Sequence, residues 1–132
     1  MSGLELARFP VHLGLGATAV TEPEFTGDPQ WYANYGERRA GDGAEGRLVS
    51  LHTFREPWSS WEMHPAGSEL VVCVSGTLVL HQQQGDGSVV TTALAPGQYA
   101  INPPGTWHTA DVTVETTAFF ITAGVGTQVR VR

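Results

Sequence analysis

Between Arg47 and Thr122, glycine and proline cut the chain into short β-prone runs, and this punctuation constrains the fold more than any other feature. The runs cover residues 47–54, 69–74, 77–82, 88–94, 98–102, 107–114 and 116–122. They are separated by Gly76, by the hairpin signal Gly85-Asp86-Gly87, by Pro96-Gly97 and by Pro103-Pro104-Gly105. Strands that recur every roughly eight to twelve residues between turn signals predict an all-β sandwich or barrel. Leu78, Val79 and Leu80 are apolar on both faces of their run, as expected for a strand buried between layers.

The flanks add less. Phe9, Val11 and Leu13 alternate and suggest an edge strand in an N-terminal arm. Asp28-Pro29 and Gly41-Asp42-Gly43 are turn signals on either side of Trp31, Tyr32 and Tyr35. Three large aromatics in so polar a stretch are expected to cover one end of the core; a lid over a pocket or a subunit contact is the alternative. The expected organisation is one domain over residues 1–132: an arm and loop at 1–46, a barrel at 47–122 and a C-terminal edge strand at 123–132.

With 13 acidic against 7 basic residues, the net charge of −6 argues against a nucleic-acid surface. No apolar run is long enough for a signal peptide or a membrane span, so the expectation is a cytoplasmic protein without membrane contact. The single Cys73 excludes an internal disulfide.

Glu62 and His64 are two residues apart, which on a strand puts both side chains on one face. Glu69 opens the next strand and shares its face with Val71 and Cys73. His108 follows a Pro-Gly turn at the start of another strand. Two imidazoles and two carboxylates converging from different strands suit one divalent ion.

These spacings resemble the cupin superfamily. Its first motif ends in H-x-H, three or four residues, Glu, six residues, Gly; here His64, Glu69 and Gly76 keep that spacing. The second motif, Gly, five residues, Pro-x-Gly, two residues, His, is matched by Gly97, Pro103, Gly105 and His108. Three departures stand out: Glu62 replaces the first His, the opening Gly of the first motif has no counterpart, and Val112 occupies the place of an Asn. The resemblance implies a double-stranded β-helix, a jelly roll of two antiparallel sheets. It also implies that His64, Glu69 and His108 ligate a metal, with Glu62 as a fourth ligand or, if it does not ligate, a catalytic general base. Two carboxylates and two neutral imidazoles around a divalent ion leave no net charge, so bound water is acidified less than at a His-rich site. Iron, manganese, zinc or nickel are the expected ions.

Alternation makes Val71, Cys73, Tyr99 and Phe119 the expected substrate wall, with Leu80, Ala110 and Ile121 beside them. Trp61, Met63 and Trp107 should face away from the ligands, and His12, His52 and His81 are expected to be structural or exposed. The resulting function is a metal-dependent enzyme, of dioxygenase or isomerase type, on a small organic molecule. The alternatives are a non-catalytic binder of a metabolite or sugar, and a metal-free structural barrel. Four Trp, five Phe and three Tyr in so short a chain suggest a homodimer.

Overall fold

The computed structural model describes residues 1–132. Eleven strands form two antiparallel sheets. β1 (Val11–Gly14), β2 (Thr18–Thr21), β3 (Arg47–Phe54), β5 (Glu69–Ser75), β8 (Tyr99–Asn102) and β10 (Thr116–Thr122) make the larger sheet, in the order β2, β1, β3, β10, β5, β8. β4 (Ser60–Met63), β6 (Leu78–Gln83), β7 (Val89–Leu94), β9 (His108–Asp111) and β11 (Gln128–Val131) make the smaller one, in the order β11, β4, β9, β6, β7. This is the all-β architecture that the turn spacing predicts and the jelly roll that the resemblance implies. β11 is the expected C-terminal edge strand, paired with β4. β1 is not an edge: it lies between β2 and β3.

The glycine turns do what their positions require. Gly76 has φ +78°, and a Cβ there would collide with Thr116 Oγ1 and with Glu115 O at 2.5 Å. Any side chain would therefore force apart the turn that joins β5 to β6 and the start of β10. Below it the two sheets close on Val71, Cys73, Leu78, Leu94, Ala110, Val112, Ala118 and Phe120. Each large side chain among them contributes about 1.5–3 kcal/mol on burial.

One element was not foreseen. Asp28-Pro29 opens a helix, α1 (Pro29–Arg38), where a turn was expected. Asp28 is its N-cap, accepting from the Trp31 N–H at 2.8 Å, and Pro29 sits where a missing N–H costs nothing. Trp31 is buried, stacks on Tyr35 at 5.7 Å and donates its indole N–H to Glu24 O. The helix is tied down by charge as well. Glu22, wholly buried just after β2, receives Arg38 on one oxygen and Arg39 on the other. His12 joins the same network: its Nε2–H donates to Asp42 and its Nδ1 accepts from the Tyr35 hydroxyl, both at 2.6 Å. His12 is thus structural, as expected.

The outer face of the larger sheet is more apolar than its inner face. On β3 the inward residues are Leu48, Ser50, His52 and Phe54, and the outward ones are Val49 and Leu51. On β10, Thr116, Ala118 and Phe120 are buried, while Phe119 and Ile121 lie on the other face. On β8, Tyr99 is 63% exposed and Asn102 is buried. Tyr99 and Phe119 therefore do not line the interior as expected, and neither does Ile121. Hydrophobicity misassigned these strands because their polar residues are the ones turned inward. Val71 and Cys73 do face in, as do Leu80 and Ala110.

Candidate metal centre

Three strands bring the site together. Glu62 on β4 pairs directly with His108, the first residue of β9, and opposite residues of an antiparallel pair share a face. His64 follows β4, its carbonyl held by the Gly105 N–H at 3.0 Å. Glu69 opens β5 opposite Asn102. The motif's turn residue Gly105 thus positions the backbone of one site His, and His108 follows three residues later.

The surroundings fix both imidazole tautomers. Thr127 donates its only hydroxyl hydrogen to Gly124 O, so at 2.8 Å it accepts from His64 Nδ1–H. His108 Nδ1 faces Thr106 O at 3.3 Å, and a carbonyl can only accept. In the neutral form each ring therefore carries its hydrogen on Nδ1 and turns the Nε2 lone pair to the interior. His64 Nε2 and His108 Nε2 each lie 3.2 Å from a Glu69 oxygen. Neither contact has hydrogen-bond geometry. Both atoms are buried and unpartnered. Glu69 is held from behind by the Asn102 amide at 3.0 Å and the Thr122 hydroxyl at 2.6 Å. The Oε2 of Glu62 is 3.9 Å from His64 Nε2, and the ligating atoms of Glu62, His64 and His108 all lie within 4.8 Å of one another.

Two lone pairs and two carboxylates facing each other in a dry space need a positive charge between them, either protons or a cation. The donor set of imidazole nitrogens and carboxylate oxygens fits a divalent ion. The titration behaviour follows from the same geometry. Burial acts to raise the Glu69 pKa, but the two imidazoles outweigh it and hold the carboxyl well below its usual range. Burial, and then the negative charge of Glu69, push Glu62 up. For His108, burial acts to lower the pKa, but the Glu69 carboxylate prevails and raises it.

Access is one-sided. The side chains of His64, Glu69 and His108 are almost wholly buried, whereas that of Glu62 is 37% exposed. Burial, then the charges of Glu62 and Glu69, push the Tyr32 phenol up to about 12. Of the three loop aromatics, Trp31 is buried, whereas Tyr32 is 45% exposed.

From Tyr32 an aromatic wall runs inward. Phe25 lies 5.7 Å from Tyr32 and 5.1 Å from His52; His52 is 5.8 Å from Phe120; Trp58 touches Phe54 and Phe120 and lies 6.2 Å from His108. The Trp58 indole N–H is buried without a partner. His52 packs against Phe25, Phe54 and Phe120 in this wall, and burial lowers its pKa. The signal that reveals His52 is the period-two series Leu48, Ser50, His52, Phe54. Thr127, Asn102 and Thr122, which orient the site, carried no motif.

Trp61 and Trp107 do face outward, sandwiching Arg130 at 5.2 and 4.5 Å. A surface cleft of about 480 Å³, lined by Gly14, Arg47, Ala66, Gly67 and Ala123 among others, contains none of the four site residues. No helix is long and apolar enough to cross a membrane.

The family model described as the cupin domain matches residues 55–124, more than half of the chain. Among solved structures, an uncharacterized conserved protein with a double-stranded beta-helix domain from Klebsiella pneumoniae is similar at TM-score 0.53 and 22% identity, over 65% of this chain and 76% of that one. A protein of unknown function from Streptococcus pyogenes gives 0.50 and 16%, over 59% and 64%. A hydroquinone 1,2-dioxygenase in complex with Cd2+ and 4-hydroxybenzonitrile gives 0.50 and 11%, over 58% and 56%. In the last two the chain spans less than two thirds of the relative's length, and at such identities the likeness is one of fold. No curated protein matches the chain in sequence. Motif spacing, sheet topology and the matched stretch agree: the chain belongs to the cupin family.

Proposed function

We propose that this cupin is a mononuclear metal enzyme acting on a small organic molecule. His64, Glu69 and His108 hold a divalent ion, and Glu62 is its fourth ligand on the open side. The observation that carries the reading is the pair of buried, unpartnered Nε2 atoms, each 3.2 Å from Glu69 and each set as an acceptor by a hydrogen bond on the far side of its ring. Bound there, iron, manganese, zinc or nickel would supply a Lewis acid for a substrate oxygen.

The chain's own groups suit a carbonyl or enol compound. Phe25, Phe54, Trp58 and Phe120 give a planar molecule an apolar wall. The Trp58 N–H is a free donor, and His52, kept neutral by burial, is a free proton acceptor. A proton-moving isomerisation or a dioxygenation of such a compound is the reaction class this set supports, and the small molecule is its partner.

Elemental analysis and calorimetric titration of the purified chain with each of the four ions test the reading. The expected result is one ion per chain, lost in His108→Ala with the far-UV spectrum unchanged. Failure of all four ions to bind, or full metal content in His108→Ala, overturns it.

A further inference from the structure

The chain has seven arginines and no lysine, and six of the seven are engaged. Arg8 pairs with Glu24, Arg38 and Arg39 with Glu22, Arg55 with Glu115 and Arg132 with Asp111, and Arg130 donates to Gln83. Arg47 alone makes neither an ion pair nor a side-chain hydrogen bond, in a chain where acidic residues outnumber basic ones by 13 to 7. It lines the surface cleft of about 480 Å³ that lies apart from the candidate metal centre. Glu45 lines the same cleft and has no cationic partner either.

Local backbone explains why both charges serve this space. Gly46 between them is extended, at φ −67° and ψ 138°. In an extended segment, residues two apart leave on the same face. Gly46 itself turns toward His12, since a Cβ there would come within 2.9 Å of His12 Cε1. Glu45 and Arg47 therefore leave on the side away from His12, and they do not pair with each other. The other walls come from stretches far apart in sequence: Leu15 after β1, Ala44, the turn Ala66 to Ser68, and Ala123 after β10. Carrying the strand register of β10 one residue further places Ala123 between Arg47 and Ser68. Gly67 closes against it, because a Cβ on Gly67 would stand 2.9 Å from that of Ala123.

We propose that this cleft is a second binding site, for a small zwitterion: an α-amino acid with an apolar side chain. Its volume lies within the roughly 300–1,000 Å³ of small-molecule sites. One unpaired charge of each sign selects the ligand's charges. A simple carboxylate would meet Arg47 but be repelled by Glu45, and a simple amine would meet the reverse. A molecule carrying both groups satisfies both residues, its carboxylate on the forked guanidinium and its ammonium on the Glu45 carboxylate. A single carboxylate is too few for a divalent ion, and the net charge of −6 disfavours a polyanion. Leu15, Ala44, Ala66 and Ala123 supply the apolar contact for the side chain. The inference does not depend on the metal.

Calorimetric titration of the full chain with L-leucine tests the proposal. The expected dissociation constant is about 1 mM or lower, as suits an open cleft. Isocaproate, which is leucine without its amine, and isoamylamine, which is leucine without its carboxylate, should each bind at least about tenfold more weakly, because each forfeits a charged hydrogen bond. Arg47→Gln and Glu45→Gln, both at exposed positions, should each weaken L-leucine by at least about tenfold with an unchanged far-UV spectrum. Glu45→Gln should also tighten isocaproate, since the repulsion is gone. Arg55→Gln, an exposed arginine outside the cleft, should leave L-leucine binding as it was. Absence of binding at about 10 mM L-leucine, some tenfold above the expected constant, overturns the proposal. Equal binding of either analogue overturns it too. So does unaltered affinity in Arg47→Gln or Glu45→Gln, the result expected if a metal ion elsewhere in the chain held the amino acid.

Discussion

Replacing Glu62 with Gln keeps the shape of the side chain and removes one charge from the candidate metal centre. If Glu62 completes the ligand set, the site with its ion goes from neutral to a net charge of +1. Two unit charges about 4 Å apart interact by about 4 kcal/mol at an effective dielectric constant near 20. Glu62 is the ligand most open to solvent, 37% exposed, and water can take its place on the ion, so only part of that energy is lost. A loss of about 1.4–2.7 kcal/mol is expected, a roughly ten- to hundredfold weaker affinity. Calorimetric titration of manganese and zinc into both proteins at one pH measures it. Glu62→His should retain metal and move preference toward nickel or copper. An unchanged affinity in Glu62→Gln would refute the fourth-ligand assignment and leave Glu62 as a proton-transfer group on the open side.

Thr127→Val removes the acceptor that sets the His64 tautomer, so metal affinity should fall about tenfold while the fold survives; an unaltered titration would show that the hydroxyl does not orient the ring. His52 has its pKa lowered from 6.5 by burial, so the unfolded chain binds its proton first as pH falls. His52 therefore adds stability above about pH 6.5 that is lost as pH drops from there toward the folded-state value, and His52→Leu should flatten the urea midpoint across that window. Glu22→Gln leaves Arg38 and Arg39 without their shared carboxylate. Both guanidiniums reach solvent, so the cost should be about 2–3 kcal/mol rather than the ~3–5 of a sealed pair, read as a lower melting temperature and a freed α1.

Much of the architecture is legible in the sequence because it is written in turns. Gly76, Gly87, Gly97 and Gly105 have conformations that few other residues tolerate, and they bound the strands whatever the side chains between them do. The site is legible for a related reason: charge in a small interior is costly unless it is used, so Glu69, His64 and His108 stand out among apolar neighbours. α1 escaped because Asp-Pro serves a turn and a helix start equally well. What decides between them is Tyr35 finding His12 and Arg38 finding Glu22, both well outside the helix.

The errors of orientation have a single origin. Hydrophobic alternation finds the inner face of a sheet only when water is on the other side. On β3, β8 and β10 the interior must hold His52, Asn102 and Thr122 for the site, so the apolar positions left over are those facing out. Ile121, Leu70 and Ile101 are the immediate chain neighbours of Thr122, Glu69 and Asn102, the hydrogen-bonded trio behind the two imidazoles. The residues that make the outer face apolar thus alternate with those that hold the site in place.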